Sequence, residues 1–257
     1  MDNWNSTQYL KFESDRTRPA HDLAFSLTVP APRKVLDVGC GPGNSTQVLR
    51  QRFPGAEILG VDNSADMIAK ARVRCPDMTF RYQDIDSAFT GFTDKYDVIY
   101  SNACLHWIPN HKELLPNMLK CLCPGGVLAV QMPVHQDMPM YRVLAELSAD
   151  SPWTAVISTI HNFHSLTPEE YYDFFSALPV RFTLWETSYI QTMDGVDGIL
   201  EWYRGSGLRP YLAALPETEH EPFLTELRKR LSALYTLRPN GKIMMRFPRL
   251  FFTVSPL

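Results

Sequence analysis

From residue 34 onward, short apolar runs alternate with longer stretches whose apolar positions recur every three to four residues, a pattern that predicts strands followed by helices. Apolar runs at 35–38 and 58–61, an alternating segment at 79–83 and a continuous run at 96–101 predict four strands. Residues 45–53 and 65–74 carry helical periodicity, and Asn63-Ser64 stands where the second helix needs an N-cap. A helix over 112–122 ends at Cys123-Pro124-Gly125-Gly126, where proline and glycine punctuate the chain, and 127–132 reads as a fifth strand. Strands alternating with helices predict a parallel sheet with helices packed on it.

Past Pro133 the pattern changes. It predicts a helix over 141–149, a looser stretch through Trp153 and His164, and a helix start at Thr167-Pro168-Glu169-Glu170. A sixth strand over 182–189, helices over 196–204 and 219–235, and a last strand over 244–254 complete the chain. The first thirty residues place Tyr9, Phe12 and Arg16 at helical spacing and end in Pro30-Ala31-Pro32, predicting a helical arm. The expected fold is therefore α/β, a Rossmann-like doubly wound sheet of seven mostly parallel strands. We expect one domain over 1–257: an arm at 1–32, a core at 33–132, and insertion or lid helices with the C-terminal strands at 133–257.

Composition narrows the function classes. The 45% hydrophobic and 21% charged residues are ordinary for a globular chain, and the net charge of −3, from 25 basic and 28 acidic residues, supplies no basic face for a phosphate backbone. Nucleic acid is not an expected partner. The opening residues lack the basic stretch and apolar run of a signal peptide, and no window is apolar enough to span a bilayer, so a soluble cytoplasmic protein, monomeric or weakly self-associating, is expected. Five cysteines without C-x-x-C spacing suggest neither a disulfide framework nor zinc, and no histidine pair or carboxylate cluster suggests another metal.

The stretch Val35-Leu36-Asp37-Val38-Gly39-Cys40-Gly41-Pro42-Gly43-Asn44 sets three alternating glycines between a strand and a helix, where open α/β sheets bind ligands. Asn44 stands where the dinucleotide fingerprint requires its third glycine, which disfavours a nicotinamide oxidoreductase. Asp62 ends the second strand, 23 residues after Gly39, where a carboxylate can accept both hydroxyls of a ribose. Asp84-Ile85 follows the third strand and Ser101-Asn102-Ala103-Cys104-Leu105-His106-Trp107 the fourth. Taken singly, each aspartate also has a bland reading as a helix cap or strand end. In order, one per strand, they resemble the motifs of class I S-adenosylmethionine-dependent methyltransferases over about 34–132. The resemblance implies S-adenosylmethionine as cofactor, S-adenosylhomocysteine as product, and Asp37, Gly39, Gly41, Asp62, Met67, Asp84, Ile85, Asn102 and Leu105 as the residues around it.

The acceptor is read from what is missing and from the flanks. No Asn/Asp-Pro-Pro-aromatic segment follows the fourth strand and no Pro-Cys nucleophile occurs, so base methylation is not expected and a small metabolite is. Trp4-Asn5, Tyr9-Leu10, Phe12 and Arg16-Thr17-Arg18-Pro19, together with the 201–210 segment Glu-Trp-Tyr-Arg-Gly-Ser-Gly-Leu-Arg-Pro, are similar to the trans-aconitate 2-methyltransferases. That resemblance implies a polycarboxylate acceptor and a monomethyl ester product. Arginine forks hold carboxylates by bidentate hydrogen bonds, and Arg18, Arg209, Arg246 and Arg249 are the candidates, Arg18 and Arg209 being favoured by the matching segments. Tyr9, Arg18, Trp107, Arg209 and Arg246 form the expected substrate set. A carboxylate is already ionised near neutral pH, so no general base is expected, only in-line positioning and exclusion of water. Another small acid, a neutral metabolite, or a non-catalytic sensor of the cofactor remain the alternatives.

Overall fold

The computed structural model describes residues 13–257 apart from 137, 161 and 162, with side chains from residue 17. Trp4, Asn5, Tyr9, Leu10, Phe12 and the side chain of Arg16 lie outside the described residues. Helix α1 (Glu13–Ser26) precedes β1 (Lys34–Val38), α2 (Asn44–Arg52), β2 (Glu57–Asp62), α3 (Ala65–Arg74), β3 (Thr79–Tyr82) and β4 (Tyr96–Asn102). A 3-10 turn (Leu105–Trp107), α4 (His111–Lys120) and β5 (Leu122–Pro133) follow. Then come α5 (Pro139–Ala149), α6 (Thr154–Ile157), α7 (Pro168–Ser176), β6 (Val180–Met193), α8 (Gly195–Arg204), α9 (Arg209–Ala214), α10 (Glu217–Leu234) and β7 (Ile243–Pro256).

The strands form one seven-stranded sheet in the order β3-β2-β1-β4-β5-β7-β6. Strands β1 to β5 run parallel, whereas β7 inserts antiparallel between β5 and β6. Order and direction agree with the expected doubly wound architecture. Because both faces are covered, the central strands are apolar throughout: Val38, Ile99 and Val130 face a cluster with Leu114 and Met118 of α4 and Phe175 of α7. Val35, Val98 and Ala129 face the opposite cluster with Leu23 of α1 and Leu49 of α2. A further cluster joins α5, α6, α8, α9 and α10, through Leu144, Ile157, Trp202, Tyr211 and Leu227, to Met193 and Met245 on the far ends of β6 and β7. These helices stand over the carboxyl end of the parallel strands.

Element boundaries differ from expectation in two places. Strand β5 begins at Leu122 and carries Pro124-Gly125-Gly126 within it; the register passes from Tyr96↔Leu122 to Val98↔Val127, so the glycines accommodate a bulge and α4 stops earlier, at Lys120. Strands β6 and β7 are each 14 residues long and pair without a break from Val180↔Pro256 to Met193↔Ile243. Their extra length carries this strand pair past the end of β5 and under the helical cluster. The expected start of α7 is realised as a capping box, with Thr167 Oγ1 accepting from Glu170 N–H (3.2 Å) and Glu170 Oε2 from Thr167 N–H (2.8 Å).

Candidate active site

Strand β1 ends at a turn that only glycine fits. Gly39 sits at φ +73°, and a Cβ there would lie 2.2 Å from Cys104 Sγ. Cys104 reaches that position because Ala103, at φ +54°, turns the chain sharply after β4. Ser101 Oγ, buried between the strands, donates to the Val38 carbonyl (3.0 Å), so the loops after β1 and β4 are locked together. On the other side, Val61 O accepts from Gly39 N–H (2.8 Å) and Cys40 N–H (3.0 Å).

Asp62 joins this loop to α3. Its Oδ2 accepts from Gly41 N–H (3.0 Å) and its Oδ1 from Ser64 N–H (2.9 Å), while Ser64 Oγ caps the helix by accepting from Met67 N–H (3.4 Å). Burial pushes the Asp62 carboxyl upward, and the two backbone donors pull the other way. Asp84 Oδ1 accepts from Asn63 Nδ2 (3.1 Å) and from Ile85 N–H (3.1 Å), which ties the loop after β3 to the one after β2.

A cavity of about 460 Å³ opens over these groups, inside the roughly 300–1,000 Å³ range usual for small-molecule sites. Gly39, Gly41, Asp62, Met67, Asp84, Ile85 and Asn102 line one end. His106, Trp107, Tyr141, Phe163, Trp202, Tyr203 and Phe247 wall the other, with Arg209 and Arg249 as its cations. Phe163 is the hub of that wall: its ring centroid lies 5.3 Å from His106, 4.9 Å from Trp107, 4.4 Å from His135 and 5.0 Å from Tyr141. The arm contributes Thr17 and Ala20. Gly207 lets the segment before α9 close on α5, since a Cβ there would meet the Tyr141 hydroxyl at 2.1 Å. The sheet order sets Asp62, at the end of β2, four strands away from Arg249 on β7, so carboxylate and guanidinium lie toward opposite sides of the cavity.

Four expected site residues do not line this cavity. Asp37 is fully buried beneath the loop, where its Oδ2 accepts from the hydroxyls of Ser45 and Thr46 (2.7 Å each) and burial pushes its carboxyl up to about 6. It supports the glycine loop from below through the hydroxyls of the following helix. Leu105 is fully buried in the core against α4, because the 3-10 turn directs His106 and Trp107 to the cavity and Leu105 away from it. Arg18 is exposed, with its guanidinium carbon 5.7 Å from the Tyr189 ring centroid. Arg246 is exposed opposite Ile190. Strand alternation explains that placement: Met245, Phe247 and Arg249 face inward, and Arg249 is buried with its guanidinium carbon 4.1 Å from the Phe247 ring centroid. Tyr9 lies outside the described residues. Tyr141, Phe163 and Phe247 were not singled out, having no signal beyond ordinary core aromatics.

Among the described residues, no group of three or more histidines, cysteines or acids is arranged to hold a metal, and no helix is long and apolar enough to cross a membrane. Burial pushes the thiols of Cys40 and Cys104, beside the glycine loop, well upward, so both are unionised packing groups.

Residues 32–177 match the family model described as a methyltransferase domain. A trans-aconitate 2-methyltransferase of Rhodopseudomonas palustris (strain BisA53) is 40% identical over 257 residues, covering 99% of this chain and 100% of its own length. Another from Variovorax paradoxus (strain S110) is 38% identical, with 99% of each chain covered. In fold, the YcgJ protein of Bacillus subtilis superposes with a TM-score of 0.62 at 16% identity, covering 93% of this chain and 99% of its own. The glycine loop, the strand-end carboxylates and the full-length likeness agree: this chain belongs to the trans-aconitate 2-methyltransferase family of methyltransferase-domain proteins.

Proposed function

We propose that the protein transfers the methyl group of S-adenosylmethionine to one carboxylate of trans-aconitate, releasing the monomethyl ester and S-adenosylhomocysteine. The observation that carries this reading is the polarity of the cavity over the glycine loop, with Asp62 and Asp84 toward one side and Arg209 and Arg249 among its cationic lining. The relatives' names supply the acceptor.

The residues present fit a nucleoside. Asp62, fixed by two backbone donors, retains lone pairs for the ribose hydroxyls; Asp84 would accept from the adenine amine, and Met67 and Ile85 would pack on the base. Asn102 and the loop from Gly39 to Gly41 would hold the methionine portion, with Asp37 and Leu105 acting from beneath. S-adenosylmethionine, when bound, supplies an electrophilic methyl group on a sulfonium. The carboxylate oxygen forms its bond to the methyl carbon as the carbon–sulfur bond breaks and the electron pair stays on sulfur. No proton moves, so no general base is needed.

What the chain contributes is alignment and a dry site. Charge separated in the reactants is partly cancelled on the way to products, so a water-poor aromatic cavity favours transfer once the arginines have offset the cost of desolvating the acid. The division of labour we propose follows the chain: 33–132 holds the cofactor, while the arm at 1–32 and the segment 133–257 enclose the acceptor. We place this activity in the cytoplasm, in a monomer or weak homo-oligomer acting on a small molecule.

Incubation with methyl-labelled S-adenosylmethionine and a panel of mono-, di- and tricarboxylic acids, followed by mass analysis of products, tests the reading. Label in a monomethyl ester of trans-aconitate, with little in monocarboxylates, is the expected result. Intact cofactor binding with no labelled acid would leave a sensor and overturn the proposal.

A further inference from the structure

Two histidines near the acceptor end differ in how they are used. His111 has both ring nitrogens engaged, Nδ1 with the Tyr171 hydroxyl and Nε2 with the Leu105 carbonyl (2.9 Å), and it serves the core. His106 is 4% exposed and lines the cavity, and its buried Nδ1 has no hydrogen-bond partner among the described residues. A buried polar side chain without partners in the protein marks a place where a ligand group or water completes the set. The ring is held firmly, 4.8 Å from Trp107 and 5.3 Å from Phe163 by centroids. The His106 carbonyl accepts from His164 N–H (2.9 Å), which fastens the Phe163 segment over it.

Its position in the chain is equally specific. His106 comes two residues after Cys104, whose side chain abuts Gly39 of the glycine loop, and its ring lies within electrostatic reach of Arg249, so it links the loop to the arginine side of the cavity. A guanidinium bonded to the reacting carboxylate would withdraw the electron density that must form the new bond. A neutral N–H orients the same oxygen with a smaller loss of nucleophilicity.

Resting on the proposed carboxylate methylation, we propose that the neutral imidazole of His106 donates a ring N–H to the carboxylate that receives the methyl group, while Arg209 and Arg249 hold the carboxylates that do not react. The imidazole keeps its proton throughout; the only bonds changed are the carbon–sulfur bond broken and the carbon–oxygen bond formed. Burial, with Arg249, His135 and His111 nearby, holds the ring well below the usual histidine range and so keeps it neutral.

The test compares H106F, which keeps the ring stack and removes the donor, with H106N and H106Q, which restore an amide donor near Nδ1 or Nε2. With wild type active on trans-aconitate, H106F should lower kcat by roughly 10- to 100-fold, with KM changed by less than about threefold and S-adenosylhomocysteine affinity unchanged. One amide variant should recover most of the loss. In the S-adenosylhomocysteine complex, adding trans-aconitate should move the His106 ring N–H resonance downfield. An H106F kcat close to wild type, failure of both amide variants to recover activity, or an unmoved resonance in a protein that binds the acid would overturn this assignment and leave the methylation reading intact. Absence of any wild-type turnover or binding of acids would overturn both.

Discussion

Arg249 and Arg246 are three positions apart on β7 and have opposite fates. The strand turns every second side chain inward, so Arg249 shares the cavity with Phe247 while Arg246 meets solvent. A buried guanidinium facing a polycarboxylate forms charge-assisted hydrogen bonds that an exposed one cannot match in water. Arg249→Ala should therefore raise KM for trans-aconitate at least about 30-fold, whereas Arg246→Ala should leave KM within about twofold; steady-state kinetics at saturating S-adenosylmethionine checks both. Asp62, Asp84 and Asn102 were legible in the sequence because each follows a recognisable strand, and strand ends are where this sheet binds ligands. Arg249 was not separable from Arg246, because the face each adopts depends on the pairing of β6 with β7. Asp37 was legible as important and not as buried, since the hydroxyls of Ser45 and Thr46 that claim it come from the following helix.

At the scale of elements, the site depends on how closely the loops after β1 and β4 approach. Gly39 makes the contact possible, and Gly39→Ala adds a Cβ that overlaps Cys104 while forcing a left-handed conformation on alanine. A loss of about 2–4 kcal/mol is expected by urea unfolding, together with weakened S-adenosylhomocysteine binding. Gly55→Ala, where a Cβ meets open space, should fall within about 0.5 kcal/mol of wild type. The βα units were legible because their periodicity is local. The bulge at Pro124-Gly125-Gly126 and the unbroken 14-residue pairing of β6 with β7 were not: proline and glycine ordinarily end elements, and here long-range pairing among β4, β5, β6 and β7 overrides that local preference.

For the whole molecule, the helices beyond β5 and β6 form their own apolar cluster and wall the arginine side of the cavity, an arrangement that the sequence announced only as a change of rhythm after Pro133. Enclosure leaves a pH signature. Burial lowers His135 to about 4 and also lowers His106 and His111, whereas in the unfolded chain histidine titrates near about 6.5. The unfolded state therefore binds protons that the folded state refuses, so stability is full above about pH 6.5 and is lost as pH falls toward about 4. Asp37, raised to about 6, and Asp62, also raised by burial, work in the opposite direction below about pH 6, but as two groups against three. Thermal unfolding should show the midpoint dropping by roughly 5 °C or more between about pH 6.5 and 4.5, and His135→Gln should flatten the fall.

The claim on which the account turns is that one cavity seats a nucleoside at its carboxylate end and a polycarboxylate at its arginine end. A crystal structure with S-adenosylhomocysteine and trans-aconitate tests it most directly. The ribose should lie on Asp62, the adenine between Asp84 and Met67, and the acid on Arg209 and Arg249 with one carboxylate turned toward sulfur. The acid bound outside this cavity, or the nucleoside seated among Trp107, Phe163 and Arg249, would contradict it.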